Sequence, residues 1–239
     1  MSSEPPGTLY LVPNALGDVP AGEVLAGAVL ERVRRLRHFI AENEKSARAL
    51  LKSIGVEAPL RELSIERLDH NTAADRIPAL LAPLLAGHDA GLVSEAGLPA
   101  IADPGTALVR LAHERGVRVA PLAGPSSIVL ALAASGLNGQ RFAFHGYLPV
   151  DPTELAATLK EMERDSRRMV RTQIFIETPY RNDRALDVAL RSLSPDTLVC
   201  VATELTLPGE NVRTRTVAQW RADRPSLGNR PTVFLMLAA

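Results

Sequence analysis

The chain has 239 residues, 46% of them hydrophobic, enough to bury a globular core in one large or two small domains and too apolar for a disordered chain. Lysine plus arginine and aspartate plus glutamate number 27 each, so no overall field draws in a polyanion, and any nucleic-acid contact needs a local patch. The single cysteine, Cys200, excludes an intramolecular disulfide and reads as a small buried strand residue; MSSEPPGT lacks the basic and apolar regions of a signal peptide, and no apolar run reaches the roughly 18 residues of a membrane span, so a cytoplasmic protein with no membrane partner is expected.

Strand-like and helical runs alternate along the chain, the pattern of α/β architecture with largely parallel sheets. TLYLVP (8–13) is a first strand that ends at Pro13 and passes into the loop NALGDVPAG. Residues 23–37 are expected as a helix, HFIAE as a short strand, and 45–53 as a helix stopped by Gly55. After LRELSI, residues 72–86 carry apolar side chains at Ile77, Leu80, Leu81, Leu84 and Leu85, the spacing of one helical face. AGLVS is a strand, 107–115 a helix ended by Gly116, and VRVAPL another strand. AGPSS then opens the helix IVLALAAS, closed by Gly136, and RFAFHGYL is a strand. Asp151 and Pro152 supply an N-cap and a first helical position for a long amphipathic helix. TQIFIET (strand), RNDRALDVALRSL (helix), DTLVCVATEL (strand), ENVRTRTV (a hairpin arm) and PTVFLMLA (a last strand) complete the chain. Strands outnumber helices in this second half, which predicts a mixed sheet there, with the boundary near Leu122: domains 1–122 and 123–239.

Ligands of open parallel sheets sit beyond the carboxyl ends of the strands. PNALGD, SEAGLPAIADPG and AGPSS occupy such positions and join small residues to prolines or hydroxyls, which leaves main chain exposed for a ligand. The dinucleotide and phosphate-loop glycine motifs are absent, the five histidines and Cys200 show no metal-ligand spacing, and no Gly-x-Ser-x-Gly elbow surrounds Ser126 or Ser127. No metal is expected. Ser126 and Ser127 read as N-cap or ligand contacts.

GTLYLVPNALGD, GLVSEAGLPAIADPG, VRVAPLAGPSSIVLALAASGL, RFAFHGYLP, IFIETPYR and VATELT follow in order the landmarks of the tetrapyrrole methylase superfamily. Within it the chain most resembles the branch that methylates a cytidine ribose 2′-hydroxyl in small-subunit ribosomal RNA. The resemblance implies a two-domain α/β fold, a parallel Rossmann-like first domain and a mixed-sheet second one, with S-adenosylmethionine in the cleft between them and a homodimeric assembly. It also implies cofactor contacts at Pro13, Gly97, Leu98, Ile101, Ser126, Ser127, Ile176, Glu177, Pro231 and Thr232; Glu42, Lys45 and Arg181 are the expected substrate contacts, Arg181 through a phosphate or a carboxylate.

Methyl transfer to a hydroxyl gains chiefly from alignment at about 3 to 3.5 Å and from a proton acceptor. Glu42, Glu95, Asp103, Glu177 and Glu204 are the acidic candidates; Glu177 and Glu204 end apolar strands, where an acid is least expected, and Asp103 either organises its loop or faces substrate. Departures from the branch are ENEK (42–45) in place of Glu-Asp-Thr-Arg, GDV for Gly-Asn-Leu, SEAGLP for Ser-Asp-Ala-Gly-Thr-Pro, no lysine after ELT, and an end at Ala239 without the C-terminal extension. Basic groups at Arg32, Arg34, Arg35 and Arg37 and at Arg164, Arg167, Arg168 and Arg171 suit either solvated helix ends or an RNA backbone. Three readings stay open: an RNA methyltransferase, a small-molecule methyltransferase, and a non-catalytic cofactor-binding protein. DNA is not among the expected partners.

Overall fold

The structure is a computed structural model that describes residues 5–238; the features read at residues 1–4 and at Ala239 lie outside the described residues. The chain divides into two compact units, Met1–Ser126 and Ser127–Ala239. The stretch after Leu122 packs with the first unit, because Gly124 lies so close to Pro13 that a Cβ there would overlap the proline ring.

Unit 1 contains β1 (Thr8–Val12), α1 (Ala21–Val24), α2 (Gly27–Arg34), β2 (His38–Ala41), α3 (Glu44–Ile54), β3 (Ser64–Arg67), α4 (Ile77–Leu80), α5 (Ala82–Leu85), β4 (Ala90–Val93), α6 (Thr106–Glu114) and β5 (Arg118–Pro121). The strands form one parallel sheet in the order β3-β2-β4-β1-β5. Alternate residues of each strand serve opposite layers: Leu9, Ile40, Ala90 and Leu92 pack with α4, α5 and α6, whereas Tyr10, Val12, Phe39, Ala41 and Val93 pack with α1, α2 and α3. Burial on both faces explains why these strands read as unbroken apolar runs.

Two helices expected from the sequence are broken. The 23–37 helix splits because Leu25 and Ala26 are extended, ψ 134° and 146°, which turns the Leu25 side chain into the core. The 72–86 helix becomes a 3₁₀ turn at Ala74–Arg76 followed by α4 and α5, with Pro78 and Pro83 each in a first turn, where a missing N–H is tolerated. The apolar spacing survives the breaks for Leu80, Leu81 and Leu84, which are buried, while Leu85 is 45% exposed.

Unit 2 contains α7 (Ser127–Ser135), β6 (Phe142–Tyr147), α8 (Pro152–Met169), β7 (Thr172–Ile176), α9 (Asn182–Ser192), β8 (Leu198–Thr203), β9 (Asn211–Thr216), α10 (Val217–Ala222) and β10 (Thr232–Leu237). Its sheet runs β6-β7-β10-β8-β9, parallel between β6 and β7 and antiparallel elsewhere, the mixed sheet expected. Phe175, Val199, Val201, Phe234 and Met236 form the core with α8, α9 and α10, and the Phe175 and Phe234 rings stack at 5.0 Å. Helix α10 was not expected from the sequence. It starts at a reciprocal capping box between Thr216 and Gln219, visible as Thr-x-x-Gln, and buries Trp220, whose Nε1 donates to the Val199 carbonyl at 2.9 Å.

Asp151 caps α8 by accepting from the Thr153 and Glu154 amides at 2.8 and 3.1 Å. Asp151→Ala is expected to cost about 1 kcal/mol, read as a lower urea midpoint at unchanged m-value.

Candidate functional site

The sheet order of unit 1 sets β1 between β4 and β5, so the small-residue loops following these strands emerge side by side. The first two are tied together directly. Asn14 donates its amide to the Gly97 carbonyl at 2.8 Å and accepts from the Gly97 amide at 3.2 Å, an isolated antiparallel bridge. The Asn14 Nδ2 donates further to the carbonyls of Glu95 (2.9 Å) and Ser94 (3.3 Å), and Ser94 Oγ donates to the Ala96 and Gly97 carbonyls. Asn14 escaped notice in the sequence, although an asparagine at a strand end is a known builder of local turns.

The loop after β4 is held in an uncommon conformation: Gly97, Ala100, Ala102 and Gly105 have φ of 70°, 64°, 61° and 133°. Left-handed alanines cost about 1–2 kcal/mol each, and such strain collects at ligand sites. A Cβ on Gly97 would sit 3.3 Å from Leu16 Cδ2 and 3.6 Å from the Pro125 carbonyl oxygen, so this glycine is the meeting point of the three loops. Pro13, Gly97, Leu98 and Ser126 are thus gathered at one edge of unit 1, and Ile101 stands out at 44% exposed. A cavity of about 390 Å³ opens beside the first loop, lined by Asn14, Gly17, Asp18, Ser46 and Ser53 among others.

The acids of unit 1 form an electrostatic group. Asp103 is pushed up to about 6, first by burial and then by the charges of Glu42 and Glu95. Burial and then Glu95 raise Glu42 as well, against a lowering influence from His70. Glu95 accepts from Ser46 Oγ at 3.4 Å. Lys45 is exposed in the first turn of α3, its amide held by Asn43 Oδ1 at 2.9 Å. Taken singly, the three acids were visible in the sequence; their coupling comes from the sheet order, which brings the ends of β2 and β4 together.

Unit 2 has its own constellation. Glu177 is buried at the end of β7, paired with Arg181 and accepting from the Thr178 amide at 2.7 Å. Ile176 pairs with Val233 on β10, and Thr232 of that strand with Thr203 of β8. The Pro231 carbonyl accepts from the Glu204 amide at 2.9 Å, so Ile176, Glu177, Glu204, Pro231 and Thr232 lie around the same strand ends. Glu204 and Thr206 have φ of 49° and 67°. Fully buried Asn182, missed by sequence reasoning, donates to the Arg230 carbonyl and to Thr232 Oγ1 and leaves its Oδ1 unpaired.

The basic helix ends are partly occupied by structural work. Arg34 Nε donates to the Ile54 carbonyl, Arg32 lies over the Tyr10 ring, and Arg168 and Arg171 both bind Asp165. Among the described residues, no group of three or more His, Cys, Asp or Glu side chains has the arrangement of a metal site, and no helix is long and apolar enough to cross a membrane.

Unit 1 is a parallel α/β unit with small-residue loops at its strand ends, and unit 2 a mixed-sheet α/β unit, the two architectures expected from the sequence. The family model for tetrapyrrole (corrin/porphyrin) methylases matches residues 10–220, and the chain belongs to this family of methyltransferases. Among curated proteins it is similar to the ribosomal RNA small subunit methyltransferase I of Xylella fastidiosa strain Temecula1, 36% identical over 213 residues that cover 89% of this chain and 74% of that protein. It is also similar to the Escherichia coli protein of the same name, 35% identical over 206 residues, 86% of this chain and 68% of that one. Among solved structures, that of the methyltransferase CobJ shares the fold, with a TM-score of 0.62 at 18% identity, over 98% of this chain and 95% of that one.

Asp103 also makes a prediction about stability. Its folded value of about 6 lies above the ordinary 3.8, so between about pH 4 and 6 the folded state keeps a proton that the unfolded chain releases, and stability falls as pH rises through that window. Asp103→Asn is expected to stabilise unit 1 at pH 7.5 by about 1 kcal/mol after allowance for solvent screening, with the gain vanishing near pH 4 in thermal melts.

Proposed function

We propose that the chain uses S-adenosylmethionine to methylate small-subunit ribosomal RNA, at the ribose 2′-hydroxyl of a cytidine. The observation that carries the RNA assignment is the similarity, over nearly nine-tenths of the chain, to relatives named as small-subunit ribosomal RNA methyltransferases; the ribose 2′-hydroxyl of a cytidine rests on the resemblance to that branch. Support for a cofactor in unit 1 comes from the convergence of its loops: Gly97 and Gly124 let three small-residue loops pack against one another, and the loop after β4 holds left-handed Ala100 and Ala102. Pro13, Gly97, Leu98, Ile101 and Ser126 are the proposed contacts there. Ser127, Ile176, Glu177, Pro231 and Thr232 of unit 2 are proposed as ligand contacts in their own right, supported by the unpaired Asn182 oxygen beside Thr232. Glu42, Lys45 and Arg181 are proposed to meet the substrate.

S-adenosylmethionine supplies an activated methyl group when bound. What the protein must add is alignment and a place for the hydroxyl proton. Among the acidic candidates, Asp103 is the proposed acceptor. Its value near 6, set first by burial and then by Glu42 and Glu95, leaves it ionised at neutral pH yet basic enough to take a proton. Glu177 is engaged by Arg181 and Glu204 is packed against Gly209, so each has a structural role that the reaction would have to disturb. A homodimer is part of this proposal, tested by sedimentation at micromolar concentration.

Purified protein given labelled cofactor and small-subunit RNA is expected to transfer methyl to one site; transfer only to a small-molecule extract would move the substrate assignment. Asp103→Asn should lower kcat by about 100-fold or more and remove an inflection near pH 6, through which the wild-type rate rises before levelling off at higher pH. Gly97→Trp should abolish cofactor binding by calorimetry while the far-ultraviolet circular dichroism is retained; unchanged affinity would refute the placement of the pocket.

A further inference from the structure

Beyond the cofactor loops, the carboxyl edge of the unit 1 sheet continues across β2 to the edge strand β3, where a cavity of about 560 Å³ opens. Its walls come from the start of α3, from β3, and from the Thr72–Pro83 segment. The charged lining consists of Arg67 and Arg76 with Glu44 and Glu66; Ser64 and Thr72 add hydroxyls, and Ala79, Leu80, Ala82 and Pro83 form an apolar wall. Arg67 is tied to Asp69 at 2.6 Å, while Arg76, in the 3₁₀ turn, has no ion-pair partner among the described residues.

Two features say what would fill this space. The lining sets two arginines against two carboxylates, and Arg67 is already engaged by Asp69, so the cavity does not suit a bare anion; it suits a ligand that offers one anionic group to Arg76, hydrogen-bond donors to Glu44 and Glu66, and a flat apolar face. A nucleotide is such a ligand: its phosphate meets an arginine, its ribose hydroxyls and exocyclic amine meet carboxylates, and its base lies on an apolar wall. A volume of this size accepts a single mononucleotide unit with room for water. The second feature is continuity. Glu44 is two positions beyond Glu42, and Asp69, which holds Arg67, acts electrostatically on Glu42, itself coupled to Asp103. The cavity is therefore linked, through Glu44 and Asp69, to the group of acids proposed to face the acceptor hydroxyl.

We propose that this cavity is a nucleotide subsite of the RNA substrate, which takes one splayed-out nucleotide flanking the methyl acceptor, its phosphate on Arg76 and its base against Ala79, Leu80 and Pro83. The proposal rests on the RNA reading of the function. Recognition of single-stranded RNA by splayed bases is the common way in which RNA sequence is read. The subsite also gives a neutral chain a local means of holding RNA that its overall charge does not provide.

The test uses the full chain, labelled S-adenosylmethionine and small-subunit RNA, with two variants at exposed positions: Ala79→Trp, which fills the cavity without changing charge, and Arg76→Glu, which reverses the phosphate contact. Each is expected to raise KM for RNA about tenfold or more, to leave kcat at saturating RNA within about twofold, and to leave cofactor affinity by calorimetry unchanged. In the wild type, cytidine monophosphate is expected to shift the amide resonances of Ser64, Thr72 and Ala79, and the shifts should disappear in Ala79→Trp. Wild-type methylation of RNA together with an unchanged KM in both variants would overturn the subsite and leave the RNA reading intact. Absence of any RNA methylation by a wild type that binds cofactor would overturn the RNA reading, and the subsite with it.

Discussion

The exchange of backbone hydrogen bonds between Asn14 and Gly97 is the constraint on which the candidate site of unit 1 depends. Parallel strands place their loops at one edge of the sheet, but nothing in that topology brings the loop of β1 into register with the loop of β4. The Asn14 bridge does so, and the Asn14 side chain adds two further bonds to the same loop. With a typical net value of about 0.5–1.5 kcal/mol per bond, these four contacts are comparable to the roughly 2–4 kcal/mol that left-handed Ala100 and Ala102 cost together. The strained loop is thus held by a margin small enough that the bridge decides its shape. Gly124 against Pro13 adds a steric reason why the third loop approaches so closely.

Charge follows from the same arrangement. Glu42 follows β2 and Glu95 follows β4, neighbours in the sheet, so Glu95 acts on Glu42 and both act on Asp103. Burial first and these two charges second hold one carboxyl near 6, where a proton acceptor works well at neutral pH, and the arrangement imposes a stability penalty that a folded protein without a use for it would not need. Unit 2 spends its acids differently, with Glu177 neutralised by Arg181 and Glu163 accepting from the Ser194 amide and the Thr197 hydroxyl.

Most strands were legible because their apolar runs are short and bounded by proline, glycine or polar turns, and the mixed character of the second sheet followed from the crowding of strands there. The two long helices were misread for a definite reason: helical spacing persists through a break when the pieces lie on the same core, as Leu80, Leu81 and Leu84 do across Pro83. Helix α10 was hidden by its brevity, although its capping box is written in the sequence. In the site, the small-residue loops declared themselves through composition. Asn14, Asn182 and the coupling among the acids did not, since each depends on a partner distant in the sequence: Gly97 for Asn14, Thr232 for Asn182, and Asp103 for Glu42.

The central claim is that this chain marks ribosomal RNA. The most direct measurement is a nucleotide-resolution map of 2′-O-methylation on small-subunit ribosomal RNA from cells that carry the gene and from cells that lack it. The account predicts that one cytidine mark disappears with the gene and returns when the wild-type chain is restored, but not when Asp103→Asn is supplied. An identical map in both cells would contradict it.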